Sequence, residues 1–352
     1  MTRKLVTVKQ VTELRPIPEA DAIECAIIGK GWPVVVKKGE FKVGDSGVFF
    51  EVDSFLPIAD ERFGFLAKNK ITWMDKEGIR IRTIRLRGQL SQGLFMPLSS
   101  FPEVTEILTN SFTSIEEMDF TEALGIEKWE PVIPAALAGQ VKGPFPSFIP
   151  KTDQERIQNL VDEVFNTPEN AEAEYEISVK LDGSSMTAYF RDNELGVCSR
   201  NLELKINDEN KDNAFVRTFR NSGLMDAFLR VGRNIAVQGE LMGPGIQGNR
   251  EQLKELHLFV FEIYDIDEGR YLSADEREEM LFILKNEGFT GSEVPIIARK
   301  AKLPFKTLDE LLKFAEGPSL KHAIREGLVY KRADGKFSFK TISNLYLIRC
   351  DG

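Results

Sequence analysis

A stretch rich in proline and glycine, PVIPAALAGQVKGPFPSFIP (residues 131–150), divides this 352-residue chain. Its five prolines remove backbone donors and fix φ where a continuous helix or central strand needs freedom. Residues 134–150 therefore read as a linker, with one module in residues 1–133 and another in residues 151–352. With 42% hydrophobic residues, each half has enough apolar side chain for its own core.

The first module reads as short strands separated by turn chemistry. KLVTVKQVTEL alternates, GWPVVVKKGEFKVGDSGVFFEVDSFLP holds two strands around Gly39 and the Gly44-Asp45 turn, and GIRIRTIRLRGQLSQGLFMPL holds two more. Roughly five short strands in about a hundred residues predict a small closed β-barrel. Arg80, Arg82, Arg85 and Arg87 interleave with Ile79, Ile81, Ile84 and Leu86. That pattern suits either a solvated strand face or a basic face that follows a phosphate backbone. Residues 99–130 read as helical and peripheral.

The second module mixes both kinds of element. KTDQERIQNLVDEVF predicts a helix capped by Thr152 or Asp153, with Ile157, Leu160, Val161 and Val164 as its apolar stripe. Strands are expected at 175–181, 186–190, 195–200, 235–241, 257–265, 328–332 and 337–341, and helices near 212–230, 273–287 and 307–316. The pattern is α+β.

Composition narrows the chemistry. The net charge of −9 argues against indiscriminate coating of nucleic acid but leaves room for a local basic groove. Only His257 and His322 are present, which nearly rules out histidine triads and multi-histidine metal sites; both histidines read as structural. Three distant cysteines, Cys25, Cys198 and Cys350, give no disulfide framework and no paired zinc spacing, which fits a reducing cytoplasm. The N-terminus lacks the apolar core of a signal peptide, and no run is long enough to cross a membrane. Residues 243–248, GPGIQG, satisfy the dinucleotide-binding pattern, but Pro244 and the polar NREQLKE that follows argue for a turn after Glu240 instead. Trp32, Trp73 and Trp129 read as core.

The ionisable residues on the predicted strands form a more specific pattern. In YEISVKLDGSSMTAYF (residues 175–190), Tyr175, Ile177, Val179 and Leu181 alternate as one apolar face, and Lys180 falls on the other. Alone, this is a solvated lysine before an ordinary Asp182-Gly183 turn. Downstream, Arg200 follows a strand, Glu240 ends one, Phe261 lies within an aromatic one, Glu326 precedes one, and Lys340 sits in the last. In that order, Lys180-Leu181-Asp182-Gly183, Glu240, Phe261-Glu262-Ile263, Glu326-Gly327-Leu328 and Lys340 resemble the motifs of covalent nucleotidyltransferases, the polynucleotide ligases and capping enzymes. KLDGSS, with Ser185 where DNA ligases and capping enzymes usually have arginine, resembles the RNA ligases, as do FPSFIPKTDQERIQN and SFKTISN. A barrel placed ahead of the catalytic domain resembles the ligase group with an N-terminal OB fold.

The resemblance implies an ATP-grasp-like α+β ligase domain with antiparallel sheets. It implies an ATP-dependent RNA ligase that works through lysyl-AMP. DNA ligation, capping-type guanylyl transfer and non-catalytic nucleic-acid binding are the alternatives. Lys180 would be the nucleophile, with Glu240, Glu326, Lys340 and Arg200 as further catalytic residues. Val179, Lys180, Asp182, Arg156, Arg200, Glu240, Phe261, Glu326 and Lys340 would contact the nucleotide, Phe261 by stacking on adenine. Asp182, Glu240 and Glu326 would hold Mg2+ or Mn2+, largely through water. The implied partners are ATP and nucleic acid, on a monomer that is not membrane-bound. Relatives often carry a second lysine two residues after the last motif lysine. Here that position is Ile342, with Lys331 and Lys336 as candidate substitutes.

Overall fold

In the computed structural model, which describes residues 4–111, 114–115, 118–130 and 139–350, the first strand serves two partners. Residues Val6–Gln10 of β1 (Val6–Pro16) pair with β4 (Ser46–Phe50), and Val11–Pro16 pair with β2 (Ile23–Ile28). The register shifts between Val11 and Glu13. Such a bulge bends the strand and strengthens its twist, so the sheet curls. Its order is β10 (Leu94–Pro97), β4, β1, β2, β3 (Trp32–Lys37). Both faces of β4 are covered. Phe49 packs with Val11, Trp32 and Phe41, whereas Phe50 packs with Val6, Phe63 and Phe101. That double burial is why GVFF shows no polar alternation. A second sheet runs β11 (Glu127–Lys128), β5 (Ser54–Pro57), β7 (Lys76–Arg80), β6 (Ile71–Trp73). A hairpin of β8 (Thr83–Leu86) and β9 (Gln89–Gln92) completes the module.

Several expectations for this module change. Within 99–130, the one described α-helix is α1 (Pro102–Asn110), and residues 127–128 are strand. The four arginines do not share a face, because the strand ends at Arg80. Ile79 and Ile81 are core, whereas Ile84 and Leu86 are exposed. Arg80 itself bonds Asp53 at 2.7 Å and lies 3.6 Å over the Trp129 ring. Trp32 and Trp73 are buried, and Trp129 is half-buried.

The chain divides into two units: Met1–Ile133 with Leu347–Gly352, and Pro134–Tyr346. The second unit holds two main sheets. The larger runs β12 (Val141–Pro144), β17 (Leu202–Leu204), β16 (Glu194–Cys198), β15 (Ser184–Arg191), β18 (Ile235–Met242), β19 (His257–Asp265), β20 (Arg270–Tyr271). The short β21 (Ser292–Glu293) joins β19 in parallel. The other sheet runs β13 (Glu155–Arg156), β24 (Ser338–Ile342), β23 (Gly327–Arg332), β14 (Glu174–Lys180), β22 (Ile296–Lys302). All pairings but β13–β24 and β19–β21 are antiparallel.

Helices α4 (Ala214–Asn221), α5 (Leu224–Val231) and α6 (Ala274–Asn286) bury Val216, Phe219, Phe228 and Leu284 against Val197, Val237 and Val260 of the larger sheet. A second core joins Ile177, Val179, Leu328 and Phe339 to Met242 and Phe259, so the two sheets meet there. Helix α2 (Val161–Phe165) and α7 (Leu308–Phe314) cover it, with the short α3 (Pro168–Ala171) and α8 (Asn344–Arg349) nearby in sequence.

Three boundaries differ from the sequence reading. The expected helix at 151–165 is α-helical only over Val161–Phe165. Glu155 and Arg156 instead pair in parallel with Phe339 and Lys340, and that long-range pairing overrides the apolar period. The single helix near 212–230 is two, broken at Gly223, whose φ of 76° suits glycine. Residues 131–138 of the linker lie outside the described residues, but Val141–Pro144 pair with β17 and so belong to the larger sheet.

Where the two sheets face each other, charge is buried. Arg277 on α6 bonds Glu176 at 2.5 Å and Glu293 at 3.1 Å, with its side chain 3% exposed. Arg299 bonds the same two carboxylates, and Lys331 bonds Glu262 at 2.6 Å. Each carboxylate is matched by a cation. Removing one partner of such a buried set leaves uncompensated charge and costs about 3–5 kcal/mol. Arg277→Met should therefore lower the melting transition of this unit by about 10 °C, as thermal unfolding followed by circular dichroism will report.

Candidate active site

The chain crosses between the two sheets over three residues, Leu181, Asp182 and Gly183. Lys180 ends β14, and Ser184 begins β15. At the crossing, a Cβ on Gly183 would lie 2.5 Å from the Leu241 carbonyl oxygen, so only glycine fits. The Gly183 N–H donates to Glu240 Oε1 at 3.0 Å. Glu240 sits opposite Ser185 near the end of β18. In the other sheet Lys180 sits opposite Gly327, where a Cβ would come 1.9 Å from the Thr341 carbonyl oxygen. Glu326 immediately precedes that glycine, and Lys180 Nζ donates to its Oε2 at 2.7 Å. Glycines thus let the strands approach closely enough for a lysine and two glutamates to meet where both sheets end.

The charges on these groups are strongly coupled. Burial pushes the Lys180 ammonium down, but Glu326, Glu240 and Asp182 together outweigh it, and the pKa stands above the ordinary 10.5. Burial pushes Glu240 up to about 7; Lys180 opposes this, while Glu326 and Asp182 add to it. The site therefore holds more negative charge than one lysine neutralises.

Asp182 is gripped from two directions. Its Oδ2 accepts from the Tyr346 hydroxyl at 2.8 Å and from Arg250 at 3.3 Å, and the Arg250 guanidinium lies 4.8 Å over the Tyr346 ring. Burial, then Glu326 and Asp182, push the Tyr346 phenol far above its ordinary value, so it remains a donor. Arg250 follows the GPGIQG segment, a loop in which Gly243, Gly245 and Gly248 take positive φ and no α-helix follows. The neighbouring Glu251 is buried yet stays below its ordinary pKa. Burial raises it, but the Ser319 hydroxyl and the amides of Lys321, His322 and Leu320 lower it further. Glu251 thereby ties this loop to the segment leading to Glu326.

A β-bulge in β19 falls at Phe261. Gln238 pairs with Glu262 but Gly239 with Val260, leaving Phe261 as the extra residue. Leu258, Val260 and Ile263 pack toward the helices, whereas Phe259 and Phe261 pack with Val179, Leu181 and Phe339. Lys331 reaches across from β23 to the Phe261 carbonyl at 2.5 Å, as well as to Glu262. It is thus committed to this clasp. Lys336 is exposed, and Ile342 is 5% exposed.

The remaining candidates are placed as follows. Val179 is buried in the core beside the nucleophile candidate, its N–H donating to the Pro295 carbonyl. Arg156 and Lys340 are register neighbours on β13 and β24. Arg200 is exposed and bonds Asp153 at 3.0 Å, so its contact is not with the carboxylates around Lys180. His257 bonds Ser292, and His322 bonds the Ile324 backbone. The sequence reading did not find Arg250, Tyr346 or the Glu262–Lys331 clasp. Arg250 adjoins a loop rejected as a dinucleotide motif, and Tyr346 lies past the last motif, so no local pattern marks either one.

The donor set is all oxygen, which suits Mg2+ or Mn2+. Among the described residues no group of three or more His, Cys, Asp or Glu side chains is close enough to hold a metal ion directly. Glu326 and Asp182 raise the Glu240 pKa without touching its carboxylate, which leaves room for a hydrated cation, as these ions prefer.

Comparisons with known proteins agree with this architecture. An OB-fold domain family model matches residues 5–98, and an RNA ligase family model matches residues 173–342. No curated protein sequence matches the chain. Among solved structures, a Naegleria gruberi RNA ligase variant with AMP and manganese is 46% identical, with a TM-score of 0.85 over 99% of both chains. A lysine variant of that ligase with ATP and manganese is 46% identical, with a TM-score of 0.85 and the same coverage. The same ligase with pyrophosphate is 47% identical, with a TM-score of 0.85 over 99% of both chains. An OB-fold module followed by an α+β ligase domain, matched along almost its whole length, places this chain in the RNA ligase family.

Proposed function

We propose that the chain seals RNA ends with ATP through a lysyl-AMP intermediate. The observation that carries this is the Lys180 amine ringed by Glu326, Glu240 and Asp182 at the crossing between the sheets. The similar Naegleria enzyme has been solved with ATP, AMP, pyrophosphate and manganese. Its altered residues include a lysine and an aspartate spaced as Lys180 and Asp182 are, and a glutamate and a lysine spaced as Glu326 and Lys340 are.

In the first step, neutral Lys180 Nζ attacks the α-phosphorus of ATP. A P–N bond forms, the bond to the bridging oxygen breaks, and pyrophosphate leaves. The RNA 5′-phosphate then takes the AMP, and the 3′-hydroxyl of the other end attacks that phosphate and expels AMP. A bound magnesium or manganese ion, held through its waters by Asp182, Glu240 and Glu326, would offset the negative charge that keeps the amine protonated. Lys340 neutralises charge developing on the α-phosphate. Phe261 stacks on adenine, and Val179 lines its pocket. Arg156 orients the leaving group. Arg200 reaches AMP or the RNA end only after releasing Asp153. The catalytic domain takes in β12 and runs on to Tyr346, and residues 1–133 bind RNA. The protein acts as a monomer in the cytoplasm; among the described residues no helix is long and apolar enough to cross a membrane.

Incubation with radiolabelled ATP should leave a covalent adduct on the wild-type chain and none on Lys180→Met, which keeps an unbranched side chain one atom shorter and has no amine. An undiminished adduct in that variant would remove Lys180 from its role, and labelling by GTP in preference to ATP would favour a guanylyltransferase.

Glu240 gives a pH dependence with a defined sign. Its native pKa of about 7 lies above the ordinary 4.5, so the folded protein favours the proton. The stabilisation from that proton is complete below about pH 4.5 and is lost as pH rises through about 7. A cation must displace the same proton. Manganese affinity of the nucleotide-free protein should therefore fall about tenfold per pH unit below about 7 and level off above it. Calorimetric titration of Glu240→Gln should show weaker binding without that inflection.

A further inference from the structure

The β8–β9 hairpin has no role in the fold that accounts for its outer strand. Its inner strand is anchored: Leu90, Ser91 and Gln92 are buried, and Ser91 Oγ accepts the Val35 N–H at 3.0 Å. Its outer strand is not. Arg82, Ile84, Arg85, Leu86 and Arg87 are all exposed, Ile84 by 47% and Leu86 by 38%. Arg87 and Gly88 close the turn with φ of 50° and 83°, the mirror-image geometry that fixes a tight two-residue hairpin. The side chains of Arg82, Arg85 and Arg87 make no ion pair or hydrogen bond among the described residues, unlike that of Arg80, which Asp53 and Trp129 hold. No acidic residue occurs between Glu77 and Glu103, in a chain with 55 of them.

We propose that this hairpin is the RNA-docking arm of the N-terminal module. Arg82, Arg85 and Arg87 would grip phosphodiesters, and Ile84 and Leu86 would lie against the sugars and base edges between them. This rests on the reading of the chain as an RNA ligase and names where that substrate is held. Charge selects the occupant. A planar guanidinium matches a phosphate with two parallel hydrogen bonds, and three of them without carboxylate partners form a local cationic site on an acidic protein. A second copy of the chain, with its net charge of −9, could bring carboxylates to the same site. However, cations along an exposed edge strand oppose pairing with an identical one. Alternation along β8 puts Arg85 on one side and Ile84 and Leu86 on the other, with Arg87 in the turn at the tip. A backbone crossing the hairpin near its tip can therefore meet both.

The test uses the full chain and a nicked RNA duplex with a 5′-phosphate, with binding read by fluorescence anisotropy from 50 to 300 mM salt. Each phosphate contact contributes about 0.9 to the slope of log affinity against log salt. In the triple variant Arg82→Gln, Arg85→Gln, Arg87→Gln, the slope should shrink by about 2–3, with nick sealing reduced at least tenfold. The side chains are exposed, so the melting temperature should not move. Replacing the same residues with lysine should restore the slope. Ile84→Ser with Leu86→Ser should weaken binding severalfold while leaving the slope unchanged. Lysyl-AMP formation from ATP should equal wild type in every variant; wild type that forms no adduct would refute the ligase reading itself, separately from the arm. A triple glutamine variant with wild-type slope and affinity would overturn the arm, as would a concentration-dependent dimer that these substitutions dissolve.

Discussion

The pairing of Lys180 with Glu326 across two strands, beside Glu240 from the facing sheet, sets the demands on the rest of the ligase domain. A lysine is an effective nucleophile only when neutral, yet three carboxylates hold this one charged. Close approach of the strands makes the contact possible, and close approach requires Gly183 and Gly327. The site therefore stores the negative charge that a hydrated divalent cation can satisfy. In the absence of that cation, the amine satisfies it by keeping its proton.

The buried charges behind the site serve the same geometry. Glu176 and Lys180 project from the same face of β14, and Glu176 is held by Arg277 and Arg299. Lys331 spans from β23 to the bulge at Phe261 on β19, linking the strand beside the nucleophile to the strand that carries the candidate base-stacking ring. These contacts join both sheets by fixed, charge-assisted bonds. Such rigidity matters because attack on a phosphorus atom tolerates little misplacement of the amine.

Much of this was legible in the sequence because strands report themselves through period and punctuation. Lys180, Asp182, Glu240 and Glu326 stand at or near strand ends close to glycines, and the structure brings them together. Arg250 and Tyr346 left no such trace: one follows an irregular loop, the other sits on a short C-terminal helix, and they meet only through Asp182. The apolar period at 151–165 misled because it is shared by a helix and by a segment whose N-terminal part is claimed by β24. The arginine run misled in the opposite way. Its alternation looked continuous, yet the strand ends at Arg80, and a partner distant in sequence, Asp53, takes that side chain out of the exposed set.

The protonation state of Lys180 is the quantity to measure. Lysines labelled with 13C at the ε-carbon can be titrated by NMR in the wild-type chain, with Lys180→Met used to assign the resonance. Without metal, the Lys180 signal should titrate above 10.5, and adding magnesium should move its midpoint downward by a unit or more. A midpoint already well below 10.5 without metal, or one that magnesium leaves in place, would contradict the view that carboxylates hold the amine charged until a cation arrives.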